Sequence, residues 1–76
     1  MTLCDAVIHV NETLDEQAMN FLTEIECSSH GVFSAKFGAR TPHLMMVSYA
    51  PQMTNAKSVL GVVRGQGYHA QLAGGS

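Results

Sequence analysis

Charge is scarce in this 76-residue chain, and basic charge is scarcest. Only four lysines and arginines occur, spread from Lys36 to Arg64, and the net charge is −2. A nucleic-acid-binding surface needs clustered basic side chains to neutralise phosphates. The composition therefore argues against a nucleic-acid partner.

Long apolar runs and cysteines are also scarce. No run approaches the ~20 apolar residues that a membrane helix needs, and the first residues lack the charged and apolar regions of a signal peptide. The two cysteines, Cys4 and Cys27, are too few for a disulfide scaffold. We therefore expect a cytoplasmic protein that does not enter the membrane.

Apolar residues are abundant, at 46% of the chain with a mean hydropathy of +0.09, which is too apolar for a disordered segment. A mass of 8.2 kDa suits one small domain. We expect this domain over residues 3–72 and a flexible tail over 73–76. Potential soft-metal ligands are numerous, namely four His, two Cys and five Met.

The apolar spacing alternates between a period of two, typical of strands, and a period of about 3.6, typical of helices. Strands are predicted over 3–10, 33–37, 44–49 and 68–72, with helices over 14–27 and 56–63. The order β-α-β-β-α-β predicts an α+β, ferredoxin-like sandwich, with two helices on one face of a four-stranded antiparallel sheet.

The helix ends have their own signals. Thr13 and Glu16 have the spacing of a capping box, which predicts the start of the first helix. Gly31 follows its end and suits a left-handed conformation. Thr54 or Asn55 can cap the second helix. In the second strand, Phe33 shares its parity with other apolar residues and is expected to face the core.

Three motifs carry a family resemblance. Residues 47–51 (V-S-Y-A-P) are similar to V-x-Y-D-P, residues 67–72 (G-Y-H-A-Q-L) to G-Y-x-A-x-L, and residues 31–32 to G-V. Together they resemble the heavy-metal-associated domain, the module of small copper and mercury carriers and of metal-pumping ATPases. The resemblance implies strand order 4-1-3-2, a metal-binding role, and a metal-transporting ATPase or other metal-handling protein as partner.

The metal loop of that family has the pattern M-T-C-x-x-C. The residues of this chain that align with it do not include the two cysteines. With Thr13 on the family's Thr, Glu12 replaces the Met, Leu14 the first Cys and Gln17 the second. Neither Leu14 nor Gln17 can supply a thiolate, so neither is expected to be a ligand. Any metal must be held through other residues.

The open face of the sheet offers one set of other ligands. The implied strand order places His9 and His69 on neighbouring strands near one end, with Met46 on the other side of the first strand. Imidazole and thioether together suit copper, and two histidines can hold zinc or haem iron. We therefore predict a metal site, or a haem site through the two histidines. The alternative is that both are surface histidines on a half-solvated sheet.

Cys27 and His30 form a second candidate pair, to which Cys4 could add a third donor. The alternative is structural, since Cys4 has the parity of a buried residue and free cysteine packs as a small hydrophobe. His43 is expected to be a solvated turn residue. The acidic residues on and around the first helix are expected to form a solvated face: Glu12, Asp15, Glu16, Glu24 and Glu26.

The sequence is compatible with two alternative functions, one in metal binding and one in protein association. The first is a small carrier or sensor that binds copper, zinc or haem through ligands other than the family's thiolates. The second is a divergent domain that has lost metal binding and acts by protein association or as a homodimer. No Ser/His/Asp grouping, phosphate loop or carboxylate pair in a cleft indicates an enzyme.

Overall fold

The structure, a computed structural model, describes residues 2–73. Its elements follow the predicted order: β1 (Cys4–Val10), α1 (Glu16–Cys27), β2 (Val32–Phe37), β3 (Leu44–Tyr49), α2 (Ala56–Arg64) and β4 (Ala70–Ala73). Within residues 2–73, no helix has the length and apolar content that crossing a membrane requires.

The four strands form one antiparallel sheet in the order β2-β3-β1-β4. β1 lies at the centre and pairs with β3 from Cys4↔Tyr49 to His9↔Leu44. On its other side it pairs with β4 from Val7↔Ala73 to Val10↔Ala70. The predicted ferredoxin-like arrangement and strand order are therefore confirmed.

The core lies between one face of the sheet and the two helices. Alternate strand residues supply one side of it, as period two requires, and apolar helix positions supply the other. Fully buried members are Ala6, Ile8, Val10, Met45, Val47, Leu22, Val59 and Val63. The opposite face is uncovered, and Met46 on it is 44% exposed.

The first helix begins two residues later than the predicted capping box. Its N-cap is Asp15, whose backbone is extended and whose Oδ1 accepts the Ala18 N–H at 2.7 Å. The predicted Thr13 cap is therefore wrong, because Asp15 is itself a strong N-cap and lies directly before the first helical residue. In α2 the predicted Asn55 cap is confirmed, since its Oδ1 accepts the Ser58 N–H at 2.8 Å.

Two strand boundaries also differ from the prediction. A β-bulge between Val32 and Ser34 shifts the register, so Phe33 is 70% exposed instead of facing the core. β4 begins at Ala70, not at residue 68, and ends at Ala73, which pairs with Val7. Ala73 therefore belongs to the sheet, and the rest of the predicted tail, 74–76, lies outside the described residues.

The turn between α1 and β2 requires glycine. Gly31 has φ +83°, and a Cβ there would lie 2.9 Å from Thr54 Cγ2. Its carbonyl accepts the Ala50 N–H at 2.8 Å, which joins this turn to the end of β3. The expected left-handed glycine is confirmed, and it brings the C-terminal end of α1 against the β3–α2 connection.

Candidate metal-binding site

The connection from β1 to α1 occupies the place of the metal loop in the resembling family. Leu14 there packs against the hydrophobic core, and Gln17 is exposed in the first turn of α1. The two thiols lie elsewhere, because Cys4 begins β1 and Cys27 ends α1. The chemistry of this connection therefore does not fit a thiolate-bound ion.

His9 and His43 lie side by side where β1 ends and β3 begins. Their ring centroids are 5.8 Å apart and their planes differ by 20°. His9 Nδ1 lies 3.1 Å from Asn11 Oδ1, and His43 Nδ1 lies 2.9 Å from the Val10 carbonyl oxygen. Both rings are partly buried. His43, expected to be a solvated turn residue, therefore makes specific contacts.

His69 precedes β4 and is held by Glu12. Its backbone N–H lies 3.0 and 3.1 Å from the two Glu12 carboxylate oxygens, and its Nδ1 lies 2.8 Å from Oε2. This side-chain hydrogen bond holds the pKa of the Glu12 carboxyl below its usual range. The His69 side chain is still 83% exposed. We call the group His9, His43, His69 and Glu12 the histidine end.

The oxygen partner of each histidine ring indicates which of its two nitrogens carries the proton. A carbonyl oxygen and a carboxylate can only accept, so Nδ1 of His43 and of His69 donates. The amide oxygen of Asn11 places His9 in the same tautomer. In each neutral ring Nε2 is then the nitrogen with the lone pair. Histidines that bind metals have this arrangement, with the other ring N–H donated to an oxygen.

The two histidines that were predicted to act as a pair, His9 and His69, have different hydrogen-bond partners in the structure. In the β1–β4 register His9 lies opposite Gln71, whereas the Asn11 N–H donates to the His69 carbonyl oxygen at 2.8 Å. The side chains have different partners, His9 with Asn11 and His43, His69 with Glu12. Their role as a pair in metal or haem binding stays a prediction.

Met46 lies on the same open face, opposite Val7 in β1 and Lys36 in β2. Since His9 lies opposite Leu44, Met46 is the diagonal neighbour of His9, a separation of about 7–8 Å along such a sheet. A flexible thioether can cover part of this distance. Met46 therefore stays a predicted auxiliary ligand.

An open depression of about 490 Å³ adjoins His69. The Arg64 Nε–H donates to the Ala70 carbonyl oxygen at 2.9 Å at its edge, and the half-buried Tyr68 packs against the core. The depression is lined by Asn11, Arg64, Tyr68, His69, Ala70 and Gln71. The histidine end therefore has room beside it for a partner's side chains.

The opposite end of the sheet holds Cys4, Glu26, Cys27 and His30, which we call the cysteine end. Both cysteines are free thiols: Cys4 is half-buried against the core, whereas Cys27 and His30 are exposed. Throughout residues 2–73, no three His, Cys, Asp or Glu side chains are grouped so as to hold a metal ion. The structure therefore does not bring Cys4, Cys27 and His30 into a ligand set.

Glu26, predicted to lie on a solvated face, is buried instead. Its side chain is 0% exposed, and neither carboxylate oxygen has a hydrogen-bond partner within the described residues. Burial raises its pKa to about 7. The signal in the sequence is the spacing of four from the buried Leu22, which places Glu26 on the core side of α1.

Solved structures of metal-binding domains have the same fold. Oxidized MerP from Ralstonia metallidurans superposes with a TM-score of 0.83 at 11% identity, covering 96% of this chain and 100% of that one. A copper binding domain from HMA7, a P-type ATPase, gives 0.82 at 14%, with coverages of 92% and 93%. The yeast copper transporter domain Ccc2a, solved in apo and Cu(I)-loaded states, gives 0.80 at 15%, with 95% and 97%.

The fold is that of the heavy-metal-associated domains. The likeness spans nearly the whole chain, as the sequence resemblance does. At these identities it establishes the fold alone. No known family profile and no curated protein matches the sequence.

Proposed function

We propose that this chain is a small metal-binding carrier domain that takes its ion at the histidine end. The observation that carries the proposal is the shared arrangement of three imidazoles. Each has Nδ1 against an oxygen acceptor, which leaves Nε2 as the lone-pair nitrogen, and all three lie at one end of the sheet. His9 is the central ligand, because its ring contacts His43 and its strand pairs with both β3 and β4.

The cargo that we propose is copper or zinc. Imidazole nitrogen binds both ions well, and the Met46 thioether adds a soft donor that favours copper. The solved Ccc2a domain exists in a Cu(I)-loaded state, and another structural neighbour is a copper binding domain. A haem held by His9 and His69 is the remaining cofactor proposal.

The partner that we propose is a metal-transporting ATPase or another metal-handling protein. One structural neighbour is a domain of a P-type ATPase. The depression beside His69 and the exposed position of the histidine end leave the ion accessible to such a partner. We propose no catalytic role.

The experiment is a titration of the purified protein with CuSO4, ZnCl2 and hemin, followed by calorimetry and visible spectroscopy. We expect binding of a metal ion with a stoichiometry of one per chain, lost in His9→Ala and retained in His30→Ala, the matched control at the cysteine end. A Soret band lost in the double variant His9→Ala/His69→Ala would assign haem. Failure of the unaltered protein to bind any of the three would refute the proposal.

A second candidate function is protein association, which Phe33 favours. An aromatic ring that is 70% exposed on a bulged edge strand is an unusual surface feature for a monomer. Association through this edge, as a homodimer or with another protein, would weaken in Phe33→Ser. Sedimentation of the metal-free protein at high concentration measures this, and a monomer at all concentrations with no partner retained would reject it.

A further inference from the structure

The ligand that accompanies His9 can be identified from the backbone. The Val10 N–H donates to the His43 carbonyl oxygen at 2.8 Å, and His43 Nδ1–H donates back to the Val10 carbonyl oxygen at 2.9 Å. This reciprocal pair continues the β1–β3 ladder one position beyond His9↔Leu44. His43 is thereby fixed beside His9 by contacts of both its main chain and its ring.

The distance between the two ring centroids is compatible with a shared ion, whereas their stacked orientation is not, because lone pairs in nearly parallel ring planes do not converge. With metal–nitrogen distances of about 2.0–2.1 Å, the ring centroids of two imidazoles on one tetrahedral ion lie about 5 Å apart. The observed centroid distance between His9 and His43 is 5.8 Å. A shared ion requires that both lone pairs converge, so we expect one ring to rotate about its Cβ–Cγ bond on binding. The exposed Asn11 partner of His9 can follow this rotation.

His69 has different hydrogen-bond partners from His9 and His43. Glu12 holds both its backbone N–H and its ring, and its backbone lies opposite Asn11. Within residues 2–73 no third His, Cys, Asp or Glu completes a set around one point. A site at this end therefore draws on the two neighbouring imidazoles of His9 and His43.

We propose that His9 and His43 together hold one Cu(II) or Zn(II) ion through their Nε2 atoms, with the remaining positions open to solvent or to a recipient protein. The proposal rests on the function proposed above and deepens it, because it assigns a ligand, His43, that the sequence motifs do not indicate. Two neutral nitrogen donors suit these borderline divalent ions better than Cu(I), which prefers sulfur.

The test uses His→Asn variants of the full chain. The Asn side-chain N–H₂ occupies nearly the position of Nδ1, so His43→Asn keeps a donor for the Val10 carbonyl oxygen and removes only the Nε2 ligand. We expect calorimetric titration with ZnCl2 or CuSO4 to show affinity reduced by about tenfold or more in His9→Asn and in His43→Asn. His30→Asn, at the cysteine end, is the control and should bind within about twofold of the unaltered protein.

A spectroscopic measurement separates ligation from folding. With Zn(II), the imidazole Nε2 resonances of His9 and His43 in the unaltered protein should shift, while that of His69 should not. Metal binding that is retained in His43→Asn and lost in His69→Asn would overturn the pair while leaving the proposed function in place. Absence of metal binding by the unaltered protein would refute both the His9–His43 pair and the proposed function.

Discussion

At the histidine end every titratable side chain is at least partly exposed and has a hydrogen-bond partner, whereas at the cysteine end Glu26 is buried with neither oxygen bonded. Water and oxygen acceptors surround the imidazoles, so their nitrogens stay usable at little desolvation cost. The buried carboxyl of Glu26 loses its hydration and gains no hydrogen bond in return.

The difference distinguishes the proposed binding site from a buried carboxyl without hydrogen-bond partners. The histidine end presents ordered lone pairs to solvent, which is what reversible metal binding requires. The cysteine end holds a buried carboxyl without hydrogen-bond partners and two free thiols. Substitutions at the histidine end and at the cysteine end test this difference between them.

The largest effect is expected at Glu26. Its pKa is raised from 4.5 to about 7 in the folded state, so the folded protein binds more protons than the unfolded chain between these values. The contribution of Glu26 to the free energy of unfolding should therefore be largest below pH 4.5 and fall by roughly 3 kcal/mol as the pH rises to about 7. Urea denaturation across pH 4–8 measures this slope.

Two variants of Glu26 test whether this pH dependence of the free energy of unfolding comes from that residue. Glu26→Gln should flatten it, and Glu26→Leu should stabilise the protein at pH 8 by about 2 kcal/mol, because an uncompensated buried charge is replaced by apolar packing. Glu24→Gln, on the exposed side of the same helix, is the control and should change neither value. A slope that persists in Glu26→Gln would show that the carboxyl reaches solvent or a partner.

The next largest effect concerns the start of α1. Asp15→Ala should lower the free energy of unfolding by about 1 kcal/mol, since the Ala18 N–H loses its acceptor. Thr13→Ala should change it by less than about 0.5 kcal/mol, as for other surface substitutions. Thermal denaturation of both variants decides between the observed cap and the capping box, and a larger loss in Thr13→Ala would contradict the structure.

At the cysteine end, metal binding should not respond to substitution. We expect Cys27→Ser/His30→Ala to bind Zn(II) with the affinity of the unaltered protein, because the proposed ligands His9 and His43 lie at the other end of the sheet. Calorimetry measures the affinity, with His9→Ala as the positive control. A tenfold loss in the cysteine-end variant would reverse the comparison between the ends.

The smallest effect is expected at Glu12. Its pKa is lowered chiefly by the hydrogen bond from His69, so His69→Ala should return it toward the ordinary 4.5. Carboxyl carbon shifts in an NMR titration report this change residue by residue. His30→Ala, at the opposite end of the sheet, is the control and should leave the pKa of Glu12 below its ordinary value.

Most of the fold could be predicted because it depends on local periodicity. The boundaries of β3 and the Asn55 cap follow directly from alternating apolar residues and one capping side chain. Phe33 could not be placed, since the bulge that exposes it exists only in the pairing of β2 with β3. The spacing of Glu26 from Leu22 indicates the core side of the helix, but charged residues are rarely buried, so a solvated position was predicted.

For the candidate site, the sequence by itself determined the residue types: no cysteine between the first strand and the first helix, and histidines in the predicted first and last strands. Only the tertiary structure decided which of them meet. His9 and His43 are 34 positions apart in the chain, and the register of two antiparallel strands brings their rings to 5.8 Å. Such a contact depends on strand pairing and on one ring's hydrogen bond to Val10, and neither leaves a periodic trace in the sequence.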